Sequence, residues 1–132
     1  MKNRKLAFTL VELMIVVLVV AILATIGIPG YLKSKKRAIQ KEGISSVKLI
    51  AAAERIYRME RDSYFYYPNS GAISTVGDIN DNLKLFLNTS NWTYTLTNTG
   101  GVIQIQAANS SGCTYTISTS NLDVEPTPSG CI

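Results

Sequence analysis

Phe8-Thr9-Leu10-Val11-Glu12-Leu13-Met14-Ile15-Val16-Val17-Leu18-Val19-Val20-Ala21-Ile22-Leu23-Ala24-Thr25-Ile26-Gly27-Ile28 is the stretch on which the fold turns. Its polar members are Thr9, Glu12 and Thr25. Wound as a helix at about 1.5 Å per residue, it covers about 31 Å, close to the ~30 Å of a bilayer's hydrocarbon layer. The core helix of a small soluble domain carries a polar stripe, and this run has none. It reads as a membrane span. A secretory signal peptide shares the basic start but has a shorter apolar run followed by small residues, whereas Pro29-Gly30-Tyr31-Leu32-Lys33 follows here. The span is therefore expected to stay in the mature protein as an anchor. Glu12 is the anomaly, because a carboxylate within a span costs about 2.5–3.5 kcal/mol even on insertion scales. Two readings account for it. Either it sits near enough to one end to reach headgroups, or it pairs with a cation when chains assemble, its burial then enforcing a register.

Outward from this run the charge is unevenly distributed. Lys2, Arg4 and Lys5 precede it. Residues 31–62 carry nine basic and four acidic groups, and residues 63–132 carry Lys84 against Asp78, Asp81, Asp123 and Glu125. The formal charge of +4 over 132 residues is thus no property of a single body. With no histidine in the chain, a Ser-His triad, a His-ligated zinc site and His acid–base chemistry are all excluded. Two cysteines cannot hold a four-thiolate metal site, no catalytic constellation is visible, and no cofactor or metal is expected. The cluster Lys33–Arg37 suits nucleic acid or lipid headgroups, and its position beside the span favours headgroups.

The short basic leader, the aromatic start and the sequence Phe8-Thr9-Leu10-Val11-Glu12-Leu13 resemble the N-terminus of type IV pilins and the related pseudopilins of type II secretion. The resemblance implies that a prepilin peptidase cuts between Ala7 and Phe8 on the cytoplasmic side and that the new Phe8 amine is N-methylated. It implies that Glu12 pairs with that amine as a new subunit docks on its neighbour. The family usually has Gly before the cut where this chain has Ala7. The implied domains are a leader over 1–7, a transmembrane and filament-core helix over 8–30, and an amphipathic helix with a globular head over 31–132. The implied partners are further copies in a homopolymer, the peptidase, the inner-membrane assembly machinery, and membrane lipid before assembly. The implied location is the inner membrane, crossed once with the head outside the cytoplasm, and then a pilus on the cell surface.

Pro29 lacks an N–H and its ring crowds the carbonyl of Thr25, while Gly27 and Gly30 weaken the same turn. Helical signals resume at once, so a continuous helix, kinked or locally unwound here, is preferred over one that stops. Ile39, Gly43, Ile50, Ala53 and Tyr57 recur on one face with Val47, Leu49 and Ile56 beside them, and Lys41, Lys48, Arg55 and Asp62 follow on the other. The helix is expected to run from about Phe8 to Asp62.

Beyond Asp62 the composition becomes that of a polar β domain. Tyr64–Gly71 reads as a loop, and Asp78–Asp81 as caps for a short helix over Asn82–Leu87. Three strands are read over Trp92–Thr97, Val102–Ala107 and Cys113–Ser118, with turns at Asn98–Gly101 and Asn109–Gly112. The fold class is α+β: a long N-terminal helix whose outer half packs on an antiparallel sheet of three to four strands, burying Trp92, Tyr94, Leu96, Ile103, Ile105, Tyr115 and Ile117. In a cytosolic protein Cys113 and Cys131 would be two buried thiols; in an exported one they form a disulfide around a loop rich in Pro, Ser and Gly. A disulfide-bounded C-terminal loop is also what the pilin resemblance implies, and an oxidising compartment for the head overrides the charge count, which alone would place the head in the cytoplasm. Asp78, Asp81, Asp123 and Glu125 lack the dense spacing of a calcium loop. The function expected is a pilin, the alternative a pseudopilin or minor pilin of a secretion or DNA-uptake system.

Overall fold

A computed structural model describes residues 8–65, 72, 73 and 75–131, with backbone alone at 72 and 73. The elements run α1 (Leu10–Arg61), β1 (Ala72–Ile73), α2 (Val76–Leu83), β2 (Thr93–Thr99), β3 (Val102–Ala108), β4 (Thr114–Ser118) and β5 (Thr127–Ser129). The chain divides into two units, Met1–Ala38 and Ile39–Ile132. In the first, the described residues are essentially helix, and the large apolar side chains from Leu10 to Leu32 are exposed. Here α1 is long and apolar enough to cross a membrane.

The second unit has a core. Gly43, Val47, Ile50, Ala51, Ala53 and Glu54 are the buried positions of α1, and their spacing of three, four and seven is that of one helical face. Leu49 and Ile56, placed beside that face by the sequence pattern, are exposed. At about 100° per residue both fall outside the arc that the buried positions define. The sheet is an antiparallel meander in the order β1-β2-β3-β4-β5, five strands where three to four were expected. The two additions are the short outer strands, of two and three residues. On the inward face Leu96, Ile105 and Ile117 lie side by side across β2, β3 and β4, as do Tyr94, Ala107 and Tyr115. All seven residues assigned to the core from the alternation of the strands are buried.

Trp92 anchors the second unit on its stretch of α1. Its indole N–H donates to the Ile39 carbonyl at 2.9 Å. Its ring lies 5.6 Å from that of Tyr115. A Cβ at Gly43 would come within 2.6 Å of the indole, so only glycine allows this approach.

The short helix is displaced from its expected place. It runs over Val76–Leu83, not Asn82–Leu87. Val76, Ile79 and Leu83 form its apolar face, and Asp78 sits in its first turn near the positive end of the helix dipole. Asn80 belongs to its end: its carbonyl accepts from the N–H groups of Lys84 and Leu85, its side-chain oxygen accepts from the Leu87 N–H, and Lys84 turns left-handed at φ 55°. Leu83 and Leu87 reach the core, whereas Phe86 is fully exposed. Of the loop expected over Tyr64–Gly71, residues 66–71 lie outside the described residues.

Candidate functional site

At the N-terminal end of α1, Thr9 and Glu12 form half of a capping box. The Glu12 N–H donates to the Thr9 hydroxyl at 3.2 Å, and the Leu13 N–H donates to the Thr9 carbonyl at 3.3 Å. The spacing Thr-x-x-Glu is what this motif requires, and a carboxylate in the first turn also complements the helix dipole. This local role of Glu12 is additional to the membrane cost and the assembly pairing expected of it from the sequence. Among the described residues the Glu12 carboxylate has no ion-pair partner. Phe8 is 69% exposed, and Ala7, with the rest of the leader, lies outside the described residues.

Gly27, Pro29 and Gly30 lie inside α1, which continues through them. Because Pro29 has no N–H, the Thr25 carbonyl loses its usual helical donor. The Thr25 hydroxyl donates to the Ile22 carbonyl at 2.7 Å, one turn earlier. A Cβ added at Gly27 or Gly30 would meet nothing within 4 Å. Packing within the chain therefore does not call for glycine at either place.

At the far end of the second unit, Cys113 and Cys131, 18 positions apart, are joined in a disulfide. Gly130, at φ 67°, lets the chain pass the Gly112 carbonyl, which a Cβ would approach to 2.4 Å. The turn before β5 is held to α1 by ion pairs of Lys48 with Glu125 and of Arg55 with Asp123, the latter at 2.6 Å. A shallow groove of about 610 Å³ lies between the end of α1 and residues 119–123. Its cations are already engaged, Arg55 by Asp123 and Arg58 by the Tyr64 hydroxyl at 2.9 Å. No group of three acidic or cysteine side chains able to hold a metal ion is found among the described residues.

Glu54 is the polar residue that sequence reading missed. It is fully buried on the inward face of α1, where one carboxylate oxygen accepts from the Phe65 N–H at 2.9 Å and the other has no partner. Burial pushes its carboxyl up to about 7, against the opposing pull of the Phe65 N–H. The available signal was its position, four residues after Ile50 and seven after Val47 on the apolar face.

The segment that carries the exposed apolar run and Glu12 is also where a known family motif lies. The family model for the prokaryotic N-terminal methylation motif matches residues 2–28. The chain is 40% identical over 68 residues to the type IV major pilin protein PilA of Myxococcus xanthus, covering 52% of this chain and 30% of that protein. It is 30% identical over 63 residues to the type II secretion system core protein G of Aeromonas hydrophila, covering 48% and 44%. With the ComG operon protein 3 homolog of Bacillus licheniformis it shares 36% identity over 78 residues, 58% of this chain and 77% of the relative. The chain thus spans less than half the length of the first two relatives. No solved structure gives a significant match. The matched leader and apolar segment, the coverage of the third relative and the helix-plus-sheet architecture together make the chain a member of the type IV pilin family, which takes in the type II secretion pseudopilins.

Proposed function

We propose that this chain is the structural subunit of a type IV pilus, held in the inner membrane by residues 8–30 and then polymerised into a helical surface filament. A prepilin peptidase removes residues 1–7 by cutting between Ala7 and Phe8, and the Phe8 amine is methylated. The observation that carries this reading is the exposed large apolar side chains of Leu10–Ile28, interrupted by one carboxylate with no ion-pair partner among the described residues. Such a surface needs lipid or other copies of itself as its surroundings. In a polymer the Phe8 amine of an incoming copy supplies the cation that Glu12 lacks, and its desolvated charge rewards one register over its neighbours. The chemistry is done to this chain at Ala7 and Phe8, and its own part is structural.

A second reading, a pseudopilin of a secretion or DNA-uptake machine, has the core protein G and ComG relatives behind it. The Cys113–Cys131 disulfide favours the pilin. Intact mass of protein sheared from cells tests processing: the expected species lacks residues 1–7, carries one methyl group and is two hydrogens lighter for the disulfide. Glu12→Ala tests assembly and should leave folded subunits in the membrane without filaments. Unchanged filament yield in that variant would overturn the role given to Glu12.

A further inference from the structure

Lys33, Lys35, Lys36 and Arg37 are all exposed, and none is paired with an acid among the described residues. The only acidic residue in 8–38 is Glu12, at the opposite end of that segment. Of the cations farther along α1, Lys48 and Arg55 are paired with Glu125 and Asp123 and Arg58 and Arg61 lie over tyrosine rings, while exposed Lys41, next after the cluster, shares its lack of an acid partner among the described residues. The cluster's counter-charge must therefore come from outside the chain. We infer that these four side chains form a ring that binds anionic phospholipid headgroups on the leaflet away from the leader; the inference rests on the proposal that residues 8–30 span the membrane.

Three features select lipid among anionic partners. The first is azimuth: at about 100° per residue the four cations point to roughly 0°, 200°, 300° and 40° around the helix. A protein or a duplex presents its charge to one face, whereas headgroups surround a spanning helix on all sides. The second is depth. Along a helix, Tyr31 stands about 4.5 Å, Lys33 about 7.5 Å and Arg37 about 13.5 Å past Ile28. The headgroup layer is about 5–7 Å thick on each side. Tyr31 thus falls at the interface, where tyrosine is favoured, Lys33 at its outer edge, and Lys35, Lys36 and Arg37 start just beyond it. The third is direction. Side chains on a helix lean toward its N-terminus, here toward the bilayer, so long Lys and Arg stems bring their charges back to the phosphates.

The test uses the full chain reconstituted in phosphatidylcholine vesicles containing a minor fraction of phosphatidylglycerol, with spin-labelled lipids reporting association. Wild type should float with pure phosphatidylcholine vesicles and associate with labelled phosphatidylglycerol over phosphatidylcholine by about fivefold, the size of one surface-proximal charge. Molar salt should collapse that ratio toward one. The variant combining Lys33→Gln, Lys35→Gln, Lys36→Gln and Arg37→Gln should still float but show a ratio near one. Exchanging Lys for Arg and Arg for Lys at the same positions should keep the preference. Failure to float would overturn the membrane span itself. Floating with equal association in wild type would overturn the ring alone, as would a preference that survives neutralisation. Ring-dependent capture of a DNA duplex without lipid preference would overturn it in favour of nucleic acid.

Discussion

Glu54 sits where burial and charge conflict most sharply. Its side chain is 0% exposed and one of its oxygens has no partner, so the uncharged acid is the form the core accommodates. Burial raises the folded value to about 7 from 4.5. Between those values the folded protein holds a proton that the unfolded chain has released, so stability is full below pH 4.5 and falls as pH rises through about 7. The loss is on the order of 3 kcal/mol. Thermal melts at pH 5 and pH 8 should show wild type losing stability relative to Glu54→Gln, which keeps an acceptor for the Phe65 N–H but does not titrate. Parallel pH profiles for the two proteins would rule out Glu54 as the source. Gly43 shows the opposite economy: the absence of a side chain lets Trp92 reach the Ile39 carbonyl.

Among the elements, β5 depends most on its fastenings. It has three residues, all exposed, and Pro128 within it offers no N–H to the ladder. Two exposed ion pairs and the Cys113–Cys131 bridge hold this end of the chain. Exposed pairs contribute about 0–1 kcal/mol each. A bridge closing a loop of this length contributes about 3 kcal/mol in the chain-entropy model. Urea unfolding should therefore rank Cys113→Ser with Cys131→Ser as clearly more destabilising than Asp123→Ala with Glu125→Ala. The reverse order would mean that the ion pairs, not the bridge, fix the end of the sheet. The elements also show what a sequence discloses. β2, β3 and β4 were legible because Tyr94, Leu96, Ile103, Ile105, Tyr115 and Ile117 alternate with polar residues, and half-buried strands impose that period. β1 was not, since a two-residue strand is defined by its pairing with Leu96 and Thr97 and has no pattern of its own. α2 was misplaced because Asn80 was read as a cap at a helix start when its side chain and carbonyl serve the end. In the candidate site, Phe8 and Glu12 stood out by residue type, whereas the Thr9–Glu12 capping contact was hidden by attention to the carboxylate's membrane cost.

At the scale of the molecule, the two units have different solvents. Among the described residues the hydrophobic core lies between Val47 and Ile117, within Ile39–Ile132. The described residues of the first unit contribute none; their apolar surface requires an apolar environment. Charge follows the same division, for residues 39–132 carry six basic against eight acidic side chains, while residues 1–38 carry seven basic against Glu12. A fragment comprising residues 39–132 thus holds the sheet, α2, the disulfide and the stretch of α1 with Gly43, Val47, Ile50 and Glu54, together with a surface suited to water. It should be a soluble monomer in plain buffer and melt in one cooperative transition, by circular dichroism and light scattering, whereas the full chain should need detergent or lipid to stay dispersed. The comparison separates two causes of insolubility. If the fragment also aggregates, the exposed Leu49, Ile56 and Met59 of the second unit are part of an assembly surface. If it is soluble and cooperative, the demand for lipid or for neighbouring copies resides in residues 8–38, and the head is a folded passenger whose stability owes nothing to the membrane.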